Sequence, residues 1–458
     1  MTADIRGPVH LVGIGGIHMS AIGILLRQRG IAVSGSDLRR SHLTDRLEAL
    51  GAQVFEGHDA AHLPPGTALV VATAAARPDN PELEEARRRG IPVILRAEMV
   101  ARLLEGKRLI AVAGSHGKTT TSALIAFILA RAGLQPMYLL GGESPDLGGH
   151  AAWGEGDIAV VEADEYRRAF LEYTPAVAVI TTVEPDHLDD FGTPEAYEAA
   201  FAAFGRRIRP GGLLLACADD PGARRVSDLL GDEPLRHETY GADGVRYWRA
   251  SGIELGPAGG SFTLERGGTP LGQLTVRVPG LHFVRNATAA AAAALHLGVP
   301  FETVREAVGA FRGARRRFEL TGEAGGVTVM DDYAHHPTEV RALVATARAA
   351  FPGRRLIGIH QPHTYSRIAY LWDDWLACFD GLDELLIVET YAAREDPAAG
   401  RSARDLAAAI ARPPARYAAD FAEAVRIARE VVRPGDVVIT IGAGDVNEVG
   451  PMLLEALR

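Results

Sequence analysis

The chain has few of the residues that mark secreted or membrane proteins. Two cysteines occur among its 458 residues, Cys217 and Cys378, and they lie too far apart in sequence to suggest a metal-ligand pair. This scarcity excludes a disulfide framework and favours a reducing compartment. No signal-like pattern precedes Val9, and the longest apolar run, near 287–295, is too short and too rich in alanine to span a bilayer. We expect a cytoplasmic protein without membrane insertion.

Long basic runs are also missing. The net charge is −10 at pH 7, with 48 lysines and arginines against 58 aspartates and glutamates. This balance argues against an extended nucleic-acid surface, so that small molecules are the expected partners. A chain of 458 residues is too long for one ordinary core, and two to four domains are expected.

The most informative stretch is GSHGKTTT, at 114–121, between an apolar strand-like run and an apolar helix-like segment. Glycines in such a turn let backbone N–H groups surround phosphate oxygens, and the helix N-terminus adds partial positive charge. In this shortened P-loop, Lys118 would reach the β- and γ-phosphates and Thr119 would ligate Mg²⁺. The predicted nucleotide-binding residues of the loop are Gly114, Ser115, His116, Gly117, Lys118, Thr119 and Thr120.

Strand-like and helix-like segments alternate along the whole chain, which predicts parallel sheets covered by helices. The predicted fold is α/β with three domains. These are a Rossmann-like N-terminal domain at 1–106, a central P-loop ATPase-type α/β domain at 107–313, and a C-terminal Rossmann-like α/β domain at 314–458. Within the central domain, the stretch 238–279 is expected to form antiparallel strands.

A glycine turn near the N-terminus resembles a weak dinucleotide fingerprint. Gly13, Gly15 and Gly16 follow a strand, and Asp37 closes the next strand, where a ribose-binding acid would lie. The pattern fits a turn without ligand, an NAD site, or a site for the diphosphate of another nucleotide.

Acidic residues close two strands of the central block. Glu162 begins EADE at 162–165, and EPDHLD follows at 184–189. Carboxylates at the carboxyl end of a parallel strand face the ligand crevice, and their oxygens suit Mg²⁺. His187 would be an unusual Mg²⁺ ligand, and a structural histidine is the alternative.

In the third block, DDYAHHP at 331–337 and QPHTYSR at 361–367 also close strands. Titratable residues massed at two strand ends indicate a crevice, although surface loops that carry histidines by chance would look the same. Phosphate- and metal-type clusters in all three blocks favour an enzyme that joins two substrates at the expense of ATP.

In combination with GIGGIHMS at 13–20, RPDNPE at 77–82, RAEM at 96–99, RRF at 316–318 and GAGD at 442–445, these motifs resemble the Mur ligases of peptidoglycan synthesis over essentially the whole chain. The resemblance implies that the first domain binds the UDP end of a UDP-sugar and the central domain binds ATP. The third domain would bind the amino acid and part of ATP. It also implies an ATP- and Mg²⁺-dependent ligase, with Mn²⁺ as an alternative ion, acting as a monomer or homodimer. The lactyl carboxylate of UDP-N-acetylmuramate would form an acyl phosphate, which the amine of L-alanine then attacks.

The same resemblance carries over residue roles. The catalytic residues would be Lys118, Glu162, His187 and Arg367, and the metal ligands Thr119, Glu162 and His187. Further nucleotide contacts would come from His282, Asn286, Arg317 and Asp332. The substrate contacts would be Gly13, Gly15, Gly16, His18, Met19, Ser20, Asp37, Thr73, Tyr333, His336, His363 and Arg367.

Two departures from the family pattern concern substrate identity. Tyr166-Arg167-Arg168 replaces a serine- and aspartate-containing run, and Thr364 stands where an arginine is usual. The alternatives are therefore a recycling ligase that attaches a preformed peptide to the same nucleotide, and a Mur-type ligase for another amino acid. A non-catalytic nucleotide-binding regulator and a nicotinamide oxidoreductase are the more distant alternatives.

Overall fold

The computed structural model describes residues 5–244, 246–393 and 395–458, and they divide into two compact units. The first unit comprises Met1–Ile253, Phe262–Thr275 and Val284–Ala314, and the second comprises Glu254–Ser261, Val276–Phe283 and Arg315–Arg458. The domain boundaries expected after 106 and after 313 stay predictions.

The first sheet of the first unit has five parallel strands within the described residues, in the order β3-β2-β1-β4-β5. The strands are β1 (Val9–Val12), β2 (Val33–Asp37), β3 (Gln53–Glu56), β4 (Leu69–Ala72) and β5 (Val93–Leu95), and the helices are α1 (Ile17–Gln28), α2 (His42–Ala49), α3 (Pro81–Arg88) and α4 (Arg96–Leu103). The strand order reverses between β1 and β4, and loops at such a point open onto a ligand crevice. The glycine turn follows β1, and Thr73 follows β4.

The second sheet begins with β6 (Arg108–Ala113), α5 (Lys118–Arg131), β7 (Met137–Ser144), β8 (Gly149–Ala152), β9 (Ile158–Glu162) and β10 (Val177–Ile180). It continues with α6 (Leu188–Phe191), α7 (Pro194–Gly205), β11 (Leu213–Cys217), α8 (Pro221–Leu229) and β12 (Arg236–Gly241). It ends with β13 (Trp248–Gly256), β14 (Gly259–Arg266), β15 (Thr269–Val276), α9 (Leu281–His296) and α10 (Phe301–Ala310). The order in the described part of the chain is β15-β14-β13-β12-β11-β10-β6-β9-β7-β8.

The pairing of β6 decides which side chains meet the P-loop. β6 lies between β9 and β10 and is parallel to both. Parallel strands end at the same edge of a sheet, so the acidic residues that follow β9 and β10 come to the loop that follows β6. The prediction of antiparallel strands at 238–279 holds in part. β12 pairs in parallel with β11 and β13, whereas two-residue hairpin connections join β13 to β14 and β14 to β15.

The third sheet belongs to the second unit. Its described strands have the order β16-β17-β21-β18-β19-β20, and only the β16–β17 pair is antiparallel. The strands are β16 (Glu319–Ala324), β17 (Val327–Asp332), β18 (Leu356–His360), β19 (Glu384–Val388), β20 (Ala415–Ala418) and β21 (Val437–Ile441). The helices are α11 (Pro337–Ala350), α12 (Tyr365–Tyr370), α13 (Trp372–Ala377), α14 (Ala403–Ala409), α15 (Phe421–Val431) and α16 (Val449–Ala456).

The cores of these sheets are apolar on both faces. The residues of β6 after Arg108, and all residues of β10, β11, β18 and β21, are buried, as expected for parallel strands covered by helices. Among the residues that the structure describes, no helix combines the length and hydropathy that crossing a bilayer requires.

Candidate active site

The P-loop backbone requires glycine at two positions. Gly114 has φ +144°, and a Cβ there would lie 2.0 Å from Thr181 Oγ1 and 2.9 Å from the backbone N and O of Thr182. Gly117 has φ +80°, and a Cβ there would lie 2.8 Å from Asn286 Oδ1. The loop is therefore packed against the segment after β10 and against α9, and it leads directly into the N-terminus of α5. The first N–H groups of a helix have no intrahelical acceptor, so they can bind phosphate oxygens.

Lys118 is the first residue of α5 and is held inside the loop. Its Nζ donates to the carbonyl oxygen of Gly114 at 2.5 Å and to Glu165 Oε1 at 3.0 Å. Burial lowers the pKa of Lys118, but Glu165, Glu162 and Asp164 raise it by more, so the net shift is upward. The ammonium charge is thus maintained at a half-buried position, 15% exposed, where its field is screened less than in bulk water.

Thr119 and Glu162 each lie against one of two consecutive glycines of β7. A Cβ at Gly141 would lie 2.2 Å from Glu162 Oε1, and a Cβ at Gly142 would lie 3.1 Å from Thr119 Cγ2. Glu162 Oε2 accepts the Gly141 N–H at 2.9 Å. Thr119 and Glu162 are each 8% exposed, and a hydroxyl with a carboxylate is the donor set that Mg²⁺ prefers. The pair therefore fits a Mg²⁺ ion at the phosphate loop.

The segment after β10 places Glu184 against the loop and His187 beside Tyr166. His116 Nε2 lies 2.8 Å from Glu184 Oε2, so the His116 side chain is engaged by that carboxylate. His187 has φ +51°, its N–H donates to Asp186 Oδ1 at 2.8 Å, and its ring lies 5.1 Å from the Tyr166 ring. The side chain of Asp189, the last member of the predicted cluster, lies outside what the structure describes. The ligand role of His187 stays a prediction.

Ser115 has a structural task in the loop. Its hydroxyl donates to the Glu184 carbonyl oxygen at 2.8 Å, accepts the Glu184 N–H at 2.9 Å, and lies 3.0 Å from the Tyr197 hydroxyl. The Tyr197 hydroxyl in turn lies 3.4 Å from Glu165 Oε1. The serine therefore fixes the phosphate loop to the segment after β10, which carries the predicted metal ligand His187.

An ion pair joins α4 to the EADE motif, and the motif patterns alone did not predict it. Arg96 Nη2 donates to Asp164 Oδ2 at 2.8 Å, and Asp164 Oδ1 accepts the Tyr166 N–H at 3.0 Å. Burial raises the pKa of Asp164, but nearby positive charges, of which the Arg96 guanidinium has the largest effect, lower it by more. The net result is a pKa of about 2. The pair connects the first sheet to the strand end beside Lys118.

The glycine turn of the first sheet is also built by close contacts. Gly13 has φ +82°, and a Cβ there would lie 2.7 Å from Thr73 Cγ2. The Gly15 N–H donates to Asp37 Oδ2 at 2.8 Å, so this predicted ribose-binding acid also holds the turn in place. Gly16 is the N-cap of α1.

His18, Met19 and Ser20 form the first turn of α1, and they differ in what they can contact. Burial lowers the pKa of His18 to about 3, and its buried Nε2 has no hydrogen-bond partner in the described part of the chain. Such an atom is a group that a bound ligand would satisfy. Ser20 Oγ lies 3.0 Å from His150 Nε2. Met19 is 2% exposed and packs in the core, and its substrate contact stays a prediction.

In the second unit, the end of β17 gathers charged and aromatic groups. Asp332 accepts the N–H groups of Phe318 and Ala334, each at 2.8 Å, and burial raises its pKa to about 6. The guanidinium carbons of Arg316 and Arg317 lie 5.0 Å and 5.1 Å from the Tyr333 ring centroid. These contacts place the predicted nucleotide residues Arg317 and Asp332 at one strand end.

The predicted histidines of the second unit have different environments. His336 is 3% exposed, and its Nδ1 accepts the Thr338 N–H at 3.3 Å as the N-cap of α11. The neighbouring His335 lies against His363, with ring centroids 6.1 Å apart, and His335 Nδ1 lies 3.3 Å from Glu339 Oε2. The structure thus brings His335, which motif reasoning had not selected, to the segment after β18.

His363 and Arg367 lie together at the start of α12. Arg367 Nη1 donates to the His363 carbonyl oxygen at 2.5 Å and lies 3.2 Å from His363 Nδ1. The His363 ring stacks on Tyr391 at 5.4 Å, with an interplanar angle of 10°. Of the remaining predicted nucleotide contacts, Asn286 lies against Gly117 in the first unit, whereas His282 belongs to the stretch Val276–Phe283 of the second unit.

Comparison with known families and proteins decides the assignment. Three family models match consecutive parts of the chain: "Mur ligase family, catalytic domain" at 8–108, "Mur ligase middle domain" at 112–294, and "Mur ligase, glutamate ligase domain" at 316–444. The chain belongs to the Mur ligase family. The sequence-based family assignment and the predicted three-domain α/β fold are thereby confirmed.

This Mur ligase is similar to curated relatives over almost its full length. A UDP-N-acetylmuramate–L-alanine ligase of Roseiflexus sp. is 45% identical and covers 98% of this chain and 99% of the relative. The relative of the same name from Sorangium cellulosum is also 45% identical, covering 96% of this chain and 94% of the relative.

Solved structures of the family are similar as well. UDP-N-acetylmuramate-alanine ligase from Thermotoga maritima matches with a TM-score of 0.85 and 29% identity, covering 98% of this chain and 99% of that chain. A murein peptide ligase from Psychrobacter arcticus matches with a TM-score of 0.77 and 26% identity, covering 99% of both chains.

Proposed function

We propose that this Mur ligase joins L-alanine to the lactyl carboxylate of UDP-N-acetylmuramate through an acyl phosphate, at the expense of ATP. Two lines of support agree. Relatives that carry this activity in their names match nearly the whole chain at 45% identity. Within the first unit, a charged and half-buried Lys118 lies in the glycine turn before α5, and Thr119 and Glu162 lie against consecutive glycines of β7. This second observation carries the proposal.

The first step activates a poor acylating agent. A carboxylate cannot lose oxide, whereas its phosphorylated oxygen leaves readily as inorganic phosphate. Lys118 would interact with the oxygens of the γ-phosphate, where negative charge is spread in the transition state. One Mg²⁺ ion held by Thr119 and Glu162, and a second held by His187, would neutralise phosphate charge and orient the nucleotide. The N–H groups at the start of α5 would hold the neighbouring phosphates.

The second step requires a held amino acid. Arg367 is the proposed partner of the L-alanine carboxylate, since a guanidinium donates two parallel hydrogen bonds to a carboxylate. In the same unit, the rings of His363 and His335 lie next to each other, with centroids 6.1 Å apart. Arg317 and Asp332 are proposed to contact the nucleotide, and the glycine turn after β1 is proposed to bind the UDP diphosphate. The two cysteines are unpaired, which agrees with action in a reducing cytoplasm.

Phosphate release with defined acceptors tests the assignment. The enzyme, ATP, Mg²⁺ and UDP-N-acetylmuramate are combined with each amino acid or with preformed muramyl peptides. Release that depends on L-alanine, with the UDP-muramyl-alanine product detected by mass, supports the proposal. Release with peptides and not with L-alanine would instead identify the peptide-attaching alternative; the Psychrobacter arcticus structure is named a murein peptide ligase.

A further inference from the structure

The turn 363–367 carries His363 and Arg367, which are proposed to bind the amino-acid substrate. The contacts that fix this turn therefore affect how well the amino acid binds. Glu395, 28 positions beyond Arg367, supplies the contacts. Thr364 Oγ1 donates to Glu395 Oε1 at 2.6 Å, and the Ser366 N–H donates to Oε2 at 2.9 Å. The Ser366 hydroxyl also donates to Oε1. Both oxygens of one carboxylate are therefore used to hold three donors of the same turn.

Other residues close to Glu395 in sequence also contact the same turn. A Cβ at Gly400 would lie 2.0 Å from the Tyr365 carbonyl oxygen, and the Arg401 N–H donates to that oxygen at 3.3 Å. The Tyr391 N–H donates to the Pro362 carbonyl oxygen at 2.9 Å. The described residues of 391–401 thus contact the turn before, at and after His363.

The carboxylate is well suited to this position. Burial raises the pKa of Glu395, but hydrogen bonds from Ser366 and Thr364 lower it by more, so the group is ionised when it accepts them. Hydrogen bonds to an ionised acceptor are about twice as strong as neutral ones. Ser366 lies in the first turn of α12, where a negative charge also stabilises the unpaired N–H groups.

We propose that Glu395 is a positioning residue for the acceptor amino acid: it fixes the turn 364–366 so that His363 and Arg367 keep the orientation that binds the substrate. The inference rests on the proposed function of Arg367. It also gives Thr364, which departs from the usual arginine of the family, a defined partner. Its hydroxyl is one of the three donors held by Glu395.

Steady-state kinetics of Glu395→Ala test the inference. Three lost hydrogen bonds should loosen the turn and raise the KM for L-alanine about tenfold, while the KM for ATP changes less than about twofold. Glu389→Ala is the matched control. Glu389 is an exposed glutamate that follows β19 and accepts a hydrogen bond from the Tyr417 hydroxyl at 2.6 Å, and within the described residues no hydrogen bond joins it to the turn. It should leave both constants unchanged.

Conservative variants separate positioning from general stability. Thr364→Val removes one of the three bonds and should raise the KM for L-alanine about threefold, whereas Thr364→Ser keeps the hydroxyl and should behave as the wild type. In the double variant Glu395→Ala/Thr364→Val, the KM should be no higher than in Glu395→Ala alone, because the shared bond is already lost. Thermal unfolding of each variant accompanies the kinetics.

The results that overturn the inference are distinct from failure of the proposed function. An unchanged KM for L-alanine in folded Glu395→Ala, or an equal rise in the KM for ATP, overturns the positioning role. If Glu395→Ala does not fold, a wild-type KM in Thr364→Val overturns it. A wild-type enzyme without L-alanine-dependent phosphate release refutes the proposed function instead.

Discussion

Replacing Gly114 by alanine tests the phosphate loop, since the structure predicts more than a local strain. The new Cβ would lie 2.0 Å from Thr181 Oγ1 and 2.9 Å from both backbone atoms of Thr182. Thr181 could rotate away only by losing its bonds to the carbonyl oxygens of Ala113 and His116, at 3.2 Å and 2.5 Å. Each such bond contributes about 1 kcal/mol. The clash with the backbone of Thr182 cannot be relieved by rotating a side chain.

The loop itself must therefore move, by about 1 Å, and such a shift breaks hydrogen bonds from its N–H groups to phosphate, each of which contributes about 1.5–3 kcal/mol. We expect nucleotide affinity to fall about a hundredfold in Gly114→Ala, which corresponds to about 2.7 kcal/mol. Isothermal titration with ADP or a non-hydrolysable ATP analogue measures the loss. Thermal unfolding checks that the rest of the chain is folded.

Gly133→Ala is the matched control. Gly133 follows α5, has φ +75°, and has no atom within 4 Å of its missing Cβ. The substitution carries only the conformational cost of a left-handed alanine, about 1 kcal/mol of stability, and should leave nucleotide binding unchanged. Wild-type affinity in Gly114→Ala, or an equal loss in both variants, would refute the assigned phosphate loop.

Three further outcomes follow from other groups. Lys118→Ala should abolish phosphate release and cost about 3 kcal/mol of stability, because Glu165, 1% exposed, loses its ion-pair partner. Unfolding with denaturant should show that adding Glu165→Gln restores stability but not activity. Activity in either variant would contradict the role of the lysine. Excess chelator should stop turnover, and added Mg²⁺ should restore it. Glu162→Gln should need a higher Mg²⁺ concentration for half-maximal rate. An unchanged Mg²⁺ requirement would contradict the assignment of Glu162 as a metal ligand. Burial lowers the pKa of His360 from 6.5 to about 3, so the unfolded chain binds one more proton and stability present above pH 6.5 is lost as the pH falls toward 3. His360→Phe should therefore make the free energy of unfolding less steep between about pH 6 and about pH 4, by about 1.4 kcal/mol per pH unit, and an equal slope would count against a neutral buried imidazole.

Motifs in the sequence predicted the strand ends of the site because the physical signal there is local. A glycine turn between a buried strand and a helix is contained within about ten residues, as at Gly114. Acids that close parallel strands meet such a turn because of sheet geometry, and Glu162 follows that rule. The α/β fold was predictable for the same reason.

Partners distant in sequence were not predictable from motifs. The Arg96–Asp164 pair joins positions 68 apart, and the Thr364–Glu395 bond joins positions 31 apart, so no short pattern contains either. The sequence also did not indicate which of the adjacent histidines, His335 or His336, lies near His363. The second histidine serves as the helix N-cap and the first lies against His363.

Met19 shows that a position within a motif can also be a core position. It lies within a motif of predicted substrate contacts, yet α1 directs its side chain into the core, where it is 2% exposed. Helical periodicity could have indicated this, since Met19, Ile22 and Leu26 recur at spacings of three and four residues and all are buried.

Isotope tracing tests the central claim most directly. UDP-N-acetylmuramate labelled with ¹⁸O in its lactyl carboxylate is incubated with the enzyme, ATP, Mg²⁺ and L-alanine, and the released inorganic phosphate is analysed by mass. Formation of an acyl phosphate predicts that one labelled oxygen passes from the carboxylate into each phosphate. Product formed with unlabelled phosphate would contradict activation of the acid by ATP.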